Sequence, residues 1–261
     1  MEQPGPYGAK ALVESRLNRL IGEELEQRSR EAGVKVLLVK RPGDLEERSR
    51  RCFLGSSRQG AAFLEELSLG AVDELLALPL EALADGERPG LGSSVADPLY
   101  LVCTNGLRDA CCARHGRPLA KALAERYPGR VWECSHLGGH RFAPNLVCLP
   151  DGLWFGRADA AAADEYEHGR IALPLFRGRS SFPLAAQAAD WFVREREGLR
   201  GVDELELDTL DGDTVTLLRN GARYRVRVQR QDAEPPRPFS CRDEKLERPG
   251  AWSLVETDDA D

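Results

Sequence analysis

The chain has 261 residues, 42% of them hydrophobic and 30% charged, with 36 basic against 43 acidic side chains and a formal net charge of −7. That is enough apolar material for one or two ordinary globular domains, and it excludes wholesale disorder. The acidic balance argues against a nucleic-acid binder, no run reaches the ~20 apolar residues of a membrane span, and Met1 to Gly8 lacks a signal peptide's basic start and apolar middle. A cytoplasmic protein without a membrane partner is therefore expected.

From the N-terminus, residues 12 to 32 predict one amphipathic helix, with Leu12, Leu17, Leu20, Ile21 and Leu25 on a face and Gly33 at its end. Val34 to Val39 reads as a buried strand stopped by Arg41-Pro42-Gly43, and Cys52 to Leu54 as a second short strand. Helical spacing returns over Ala61 to Leu83, broken at Pro79. The Gly/Pro/Ser-rich stretch from Gly86 to Pro98 predicts a domain boundary.

Leu99 to Cys103 predicts a strand, followed by a polar loop, Thr104 to Asp109, that runs into the vicinal pair Cys111-Cys112. Pro118 fits the first turn of a helix that Pro128-Gly129 ends. Val131 to Cys134 is a strand, and Ser135 to His140, with Gly138-Gly139 inside it, a loop. Strands at Asn145 to Leu149 and Leu153 to Phe155 flank the hairpin signal Pro150-Asp151-Gly152. Helices are expected over 158 to 170 and 183 to 196, around a loop at Arg177 to Ser181. Beyond residue 200 the pattern alternates. Leu205 to Leu210, Thr214 to Arg219 and Ala222 to Arg230, with turns at Asp211-Gly212 and Asn220-Gly221, predict an antiparallel meander, and the acidic end after Thr257 predicts disorder.

The order of elements in residues 2 to 54 echoes that in residues 103 to 155. The earlier copy has no room for a strand before its loop, which raises the expectation that the start is truncated or misplaced upstream of a lost strand. Three regions result: 1–95, an N-terminal α/β half without ligands; 96–200, the chemistry-bearing domain; and 201–261, a β extension with an acidic tail.

Seven cysteines and four histidines are present, and Cys103, Cys111, Cys112, Cys134, Cys148, His115, His136 and His140 all fall between residues 103 and 148. An odd count in a chain this long argues for reduced thiols over a disulfide framework. Residues 96 to 200 are also the least acidic part, with 14 basic and 12 acidic groups. Cys103 and Cys112, nine apart, with His136 and His140, four apart, make a complete soft-to-borderline ligand set. On chemistry alone it suits a 2Fe-2S cluster and a zinc ion equally, and hard cations poorly. Eight residues between the cysteines make a wider loop than a zinc knuckle. Gly138 and Gly139 let the backbone close around a core.

The stretches Leu101-Val-Cys-Thr-Asn-Gly-Leu-Arg-Asp-Ala-Cys-Cys-Ala and Trp132-Glu-Cys-Ser-His-Leu-Gly-Gly-His-Arg-Phe-Ala-Pro-Asn closely resemble the sucrase/ferredoxin-like family of thioredoxin-like ferredoxins. The resemblance is strong over residues 96 to 200, extends to the Glu2-Gln3-Pro4-Gly5-Pro6 loop and the Val34 to Pro42 strand, and is weak in the last 60 residues. It implies an α/β, thioredoxin-like ferredoxin domain, preceded by a degenerate thioredoxin-like half. It also implies a 2Fe-2S cluster on two cysteines and two histidines, with Cys103, Cys112, His136 and His140 at the matching positions. A one-residue shift would make Cys111 the second cysteine ligand; motif spacing favours Cys112. Cys134 and Cys148 are expected to be buried, and His115 to be a surface residue.

The function this implies is one-electron transfer, more a redox carrier than a stand-alone enzyme. Imidazole ligation raises the potential, and a ligand histidine's second nitrogen can couple the electron to a proton. Arg108, Arg114 and Arg141 flank the ligand loops and can stabilise the reduced cluster or dock an acidic redox partner. The alternative is a structural or interaction domain holding zinc in the same four ligands. Thiol-disulfide exchange has only the strained vicinal pair Cys111-Cys112 to draw on. No carboxylate pair supports glycoside hydrolysis, and no nucleotide motif is present, so a donor or acceptor protein has to be separate.

Overall fold

The computed structural model describes residues 1–43, 50–241 and 244–260, the side chains of His140 and of residues 258–260 apart. In chain order the elements are α1 (Ala11–Glu14), α2 (Arg19–Ala32), β1 (Val39–Lys40), β2 (Arg51–Ser56), β3 (Phe63–Ser68), α3 (Leu80–Ala84), β4 (Ser93–Ser94) and β5 (Leu99–Cys103). They continue with α4 (Ala110–Arg126), β6 (Val131–Cys134), β7 (Asn145–Leu149), β8 (Leu153–Gly156), α5 (Ala160–Glu167), β9 (Phe176–Arg179) and α6 (Leu184–Glu197). Last come β10 (Glu206–Asp211), β11 (Thr214–Arg219), β12 (Ala222–Asp232), β13 (Arg237–Pro238), β14 (Leu246–Glu247) and β15 (Gly250–Ala260). Short 3-10 turns lie at Val72–Ala77 and His140–Phe142.

The fold is α/β. Its main sheet has the order β1-β6-β5-β7-β8-β9, in which β5 and β6 are parallel and the other pairs antiparallel. A parallel pair needs a crossover, and the 17-residue α4 supplies it. Every residue of β5 is buried because both faces of the sheet are covered. Tyr100 and Val102 face a core completed by Leu123 of α4, Leu146, Phe155 and Ala162 of α5. Leu99, Leu101 and Cys103 face the other way, with Trp132, Cys134, Val147 and residues of the N-terminal stretch, Val39 and Leu64. Residues 1–95 thus lend the main sheet its edge strand β1, and the Glu2 backbone bridges Val39 in parallel.

Several elements differ from the sequence reading. The single helix over 12–32 is two, because Asn18 caps α2 by accepting from the Leu20 N–H at 3.0 Å and α1 folds back on it. That fold brings the Leu12 carbonyl within 1.9 Å of where a Cβ on Gly22 would lie. The helix expected over Ala61 to Leu83 is replaced by β3, a 3-10 turn and α3. β3 pairs antiparallel with β2 from Arg51↔Ser68 to Ser56↔Phe63, burying Phe63, Leu64 and Glu65. The loop expected at Arg177 to Ser181 is mostly β9, hydrogen-bonded to β8. α4 starts eight residues before Pro118, so the vicinal cysteines stand on its first turn. The acidic end is strand: β15 pairs along β12 from Asp232↔Gly250 to Arg223↔Ala260, opposite the arginine-rich face of β12, where Arg227 bonds Glu256 at 3.0 Å. The three expected meander strands stand as β10, β11 and β12, and α6 packs on them. No helix among the described residues is long and apolar enough to cross a membrane.

Candidate metal centre

β5 and β6 run in parallel and end together at Cys103 and Cys134, which are opposite each other in the register. Loops beyond the carboxyl ends of parallel strands are where an α/β sheet presents its chemistry. The loop after β5 turns through Asn105, whose Oδ1 accepts from the Arg108 N–H at 3.2 Å, and delivers α4. Successive helix residues point ~100° apart. Cys112 therefore faces inward, fully buried, while Cys111 faces away from it and is half-buried.

One turn further along the same face, Gly116 lets α4 lie directly on β5. A Cβ there would sit 2.1 Å from the Cys103 carbonyl oxygen and 3.3 Å from Thr104. This close approach sets the distance between the Cys103 and Cys112 side chains.

The third donor comes from the loop after β6. Ser135 donates its N–H to Leu38 O at 2.8 Å, and its hydroxyl oxygen accepts from the Leu38 N–H at 3.1 Å. Lys35 donates to Leu137 O at 2.6 Å, and Leu137 is buried. The chain then arches through Gly138 (φ 107°) and Gly139 (φ 59°), conformations that favour glycine. The arch is tied down by Asn145 Nδ2, which donates to Gly139 O at 3.0 Å, and Trp154 Nε1 donates to Asn145 Oδ1 at 3.3 Å.

Cys103 Sγ and Cys112 Sγ each lie 3.9 Å from His136 Nδ1, and all three donor atoms fall within 4.8 Å of one another. Of the four residues expected from sequence, the structure brings these three together. His140 opens the 3-10 turn at the end of the same arch, and its side chain lies outside the described residues. Cys111 is directed elsewhere, to Asp109 and Cys241. Cys134 and Cys148 are buried, and burial pushes both thiols up. His115 is exposed on α4.

Electrostatics single out Cys103. The Cys112 thiol beside it, His136, and the backbone N–H groups of Leu137 and Asn105 hold it as a thiolate, its pKa lowered to about 4 against the opposing effect of burial. Cys112 is pushed up in turn, chiefly because it shares its proton with Cys103. Behind the Cys103 thiolate lie Tyr7, whose hydroxyl donates to Glu133 O at 3.1 Å, and Lys35, whose ammonium is disfavoured by burial but drawn back by Cys134 and Cys103. The Asn105 Nδ2 is buried without a hydrogen-bond partner, an orphan donor beside the thiolate loop. Two thiols, an imidazole and such a donor fit a thiophilic metal or a sulfide-bearing group, and leave no carboxylate-rich cage for calcium or magnesium.

A cleft of about 220 Å³ opens onto His136, with Lys10, Leu12, Glu26, Arg108 and Ser135 in its walls. On the other side of the arch, Phe142 carries the guanidinium of Arg177 at 3.8 Å, Arg141 at 4.7 Å and Arg157 at 5.8 Å from its ring centre. Of the three arginines read from the sequence, Arg108 and Arg114 are exposed and Arg141 belongs to this group.

Sequence reasoning missed Lys35, Gly116, Asp109 and Cys241. Gly116 lies before the helix start read at Pro118 and so carried no helical signal, Asp109 stood in the loop that runs into the cysteines, and Lys35 and Cys241 reach the site only through tertiary contacts. Residues 13–176 match the family model described as sucrase/ferredoxin-like. The matched span contains all four expected ligands and excludes β10 to β15. No curated protein and no solved structure matches the chain.

Proposed function

The chain belongs to the sucrase/ferredoxin-like family, and on that premise we propose that it is a one-electron carrier built around a 2Fe-2S cluster held by Cys103, Cys112, His136 and His140. The observation that carries the reading is the convergence of Cys103 Sγ, Cys112 Sγ and His136 Nδ1, with His140 at the end of the same glycine arch. When bound, such a cluster supplies reversible one-electron chemistry, at a potential raised by imidazole in place of thiolate.

The chain's own residues bind, orient and insulate. Gly116 fixes how closely α4 lies on β5. Lys35 and the Ser135–Leu38 pair hold the arch in place, and the backbone N–H groups of Leu137 and Asn105 stabilise negative charge on Cys103 sulfur. Trp132, fully buried, and Leu137 exclude water from the thiol side, while the cleft over His136 leaves a route for a partner protein. The strand order β6-β5-β7-β8, with one parallel pair, two antiparallel pairs and a helix crossing from β5 to β6, supports a thioredoxin-like reading of residues 96–200. Residues 1–95 then serve as scaffold, supplying β1, Lys35 and Tyr7 to the site's surroundings. An acidic redox partner suits the arginines around Phe142.

Three donors within 4.8 Å of one another also suit one tetrahedral zinc ion, the competing use of the same residues. Single alanine variants of Cys103, Cys111, Cys112, His136 and His140, scored for iron, zinc and visible spectrum, separate the two. Loss of iron and colour from all but the Cys111 variant is expected. Retention of the cluster in the Cys112 variant with loss in the Cys111 variant would overturn the ligand assignment.

A further inference from the structure

Cys111 has a donor set of its own. The Asp109 carboxylate at the start of α4 is buried, 1% exposed, and does not cap the helix with its side chain. Instead Oδ1 accepts from the Cys111 thiol at 3.1 Å and from the Cys241 thiol, and Oδ2 accepts from the Ser240 hydroxyl at 2.7 Å. The donor atoms of Asp109, Cys111 and Cys241 all lie within 4.8 Å of one another. Cys241 arrives from the far end of the chain, on a strap that follows β13 and lays Phe239 with its ring centre 5.4 Å from the Arg141 guanidinium.

We propose that Asp109, Cys111 and Cys241 form a second metal site, one that takes zinc(II), and that pins the strap around residues 239–241 to the first turn of α4. Zn–S bonds near 2.3 Å and Zn–O bonds near 2.0–2.2 Å place tetrahedral donors roughly 3.5–3.8 Å apart, below the 4.8 Å that bounds these donor atoms. Two sulfurs and one carboxylate oxygen favour a borderline-soft dication and disfavour magnesium or calcium. Binding replaces the two thiol protons, which leave to solvent, so two thiolates and a carboxylate meet one dication and no electron is transferred. Cys241 is exposed, so the fourth position opens to water. The vicinal pair is then a division of labour, with Cys112 turned to the Cys103–His136 set and Cys111 to this one. The proposal for this second site is independent of which metal occupies the first set.

The test uses the full chain purified without chelator, with zinc, iron and sulfide measured on the same samples, in the wild type and in Cys111→Ser, Cys241→Ser and Cys112→Ser. Expected is about one zinc per wild-type chain that survives dialysis, reduced about tenfold or more in Cys111→Ser and Cys241→Ser with iron unchanged, and retained in Cys112→Ser. Cobalt(II) added to zinc-free protein should produce thiolate-to-cobalt charge-transfer absorption in the wild type but not in Cys241→Ser. Absence of both zinc and the cobalt band would overturn the proposal. So would a mass two hydrogens light from a Cys111–Cys241 disulfide, or zinc that follows Cys103 and Cys112 rather than Cys111 and Cys241. Iron missing from every sample, with zinc tracking Cys111 and Cys241, sinks the cluster reading and leaves the second site standing.

Discussion

Replacing Gly116 with alanine adds one methyl where α4 touches β5. Its Cβ would lie 2.1 Å from the Cys103 carbonyl oxygen, about 0.9 Å inside the 3.0 Å that real Cβ atoms keep, and the obstacle is backbone in a fully buried strand. The helix has to lift by roughly that much. Cys112 is one turn away on the same face, so its sulfur moves with the helix, beyond the ~0.5 Å within which a metal constellation must be held. Overpacking of this kind costs about 1–3 kcal/mol, and the larger effect falls on the site. Gly116→Ala should fold, with a lower urea midpoint, and lose most of its metal. Gly198→Ala is the control. At the C-terminal cap of α6, with φ 68° and nothing within 4 Å of the added methyl, it costs about 1 kcal/mol of backbone strain far from the centre and should keep its metal. Full metal content and an unchanged spectrum in Gly116→Ala, or metal loss to the same degree in Gly198→Ala, would refute this coupling of helix packing to the centre.

Asp190 and Arg194 form a fully buried pair within α6, Nε to Oδ1 at 2.8 Å, and Arg194 also donates to Gly201 O at 2.7 Å. Asp190→Ala strands Arg194 and should cost about 3–5 kcal/mol in denaturant titration, whereas Asp190→Leu with Arg194→Met should recover most of it. Burial, opposed by Arg194 and Arg179, holds the Asp190 carboxyl above its ordinary value. The folded chain keeps that proton longer than the unfolded one, so this group's contribution to stability falls as pH rises from about 3.8 through its folded pKa, and Asp190→Asn should flatten that part of the profile. Near the centre, Glu133 accepts from Thr104 Oγ1 at 2.9 Å and from Lys40 at 3.2 Å, joining β1, β6 and the loop after Cys103. Glu133→Leu should cost about 2–4 kcal/mol, with partial rescue by Lys40→Met, and a variant as stable as the wild type would remove this network from the account.

The centre was legible where its signals were local. β5 is a continuous apolar run, Pro150-Asp151-Gly152 announces the β7–β8 hairpin, and the Cys103/Cys112 and His136/His140 spacings stand out against a chain poor in histidine. The misreadings share a cause. Phe63-Leu64-Glu65-Glu66-Leu67 satisfies a helical period as well as a strand's, and pairing with β2 decides for the strand. Pro118 suits a first helical turn, yet it is tolerated inside α4 because the packing of Gly116 and Cys112 on β5 outweighs the bond it removes. β15 looks too acidic to order until it lies beside Arg223, Arg225 and Arg227 of β12. Cys241, alone in a charged stretch, carries no sign that it meets Cys111 at 130 residues' remove, because only the tertiary fold makes that contact.

The central claim is tested most directly by the metal itself. Iron and acid-labile sulfide measured on the purified wild-type chain should each come to about two per chain, in a brown protein that gives a rhombic paramagnetic resonance signal after one-electron reduction. A colourless protein with no labile sulfide, carrying zinc that is lost on removing Cys103, Cys112 or His136, would contradict it.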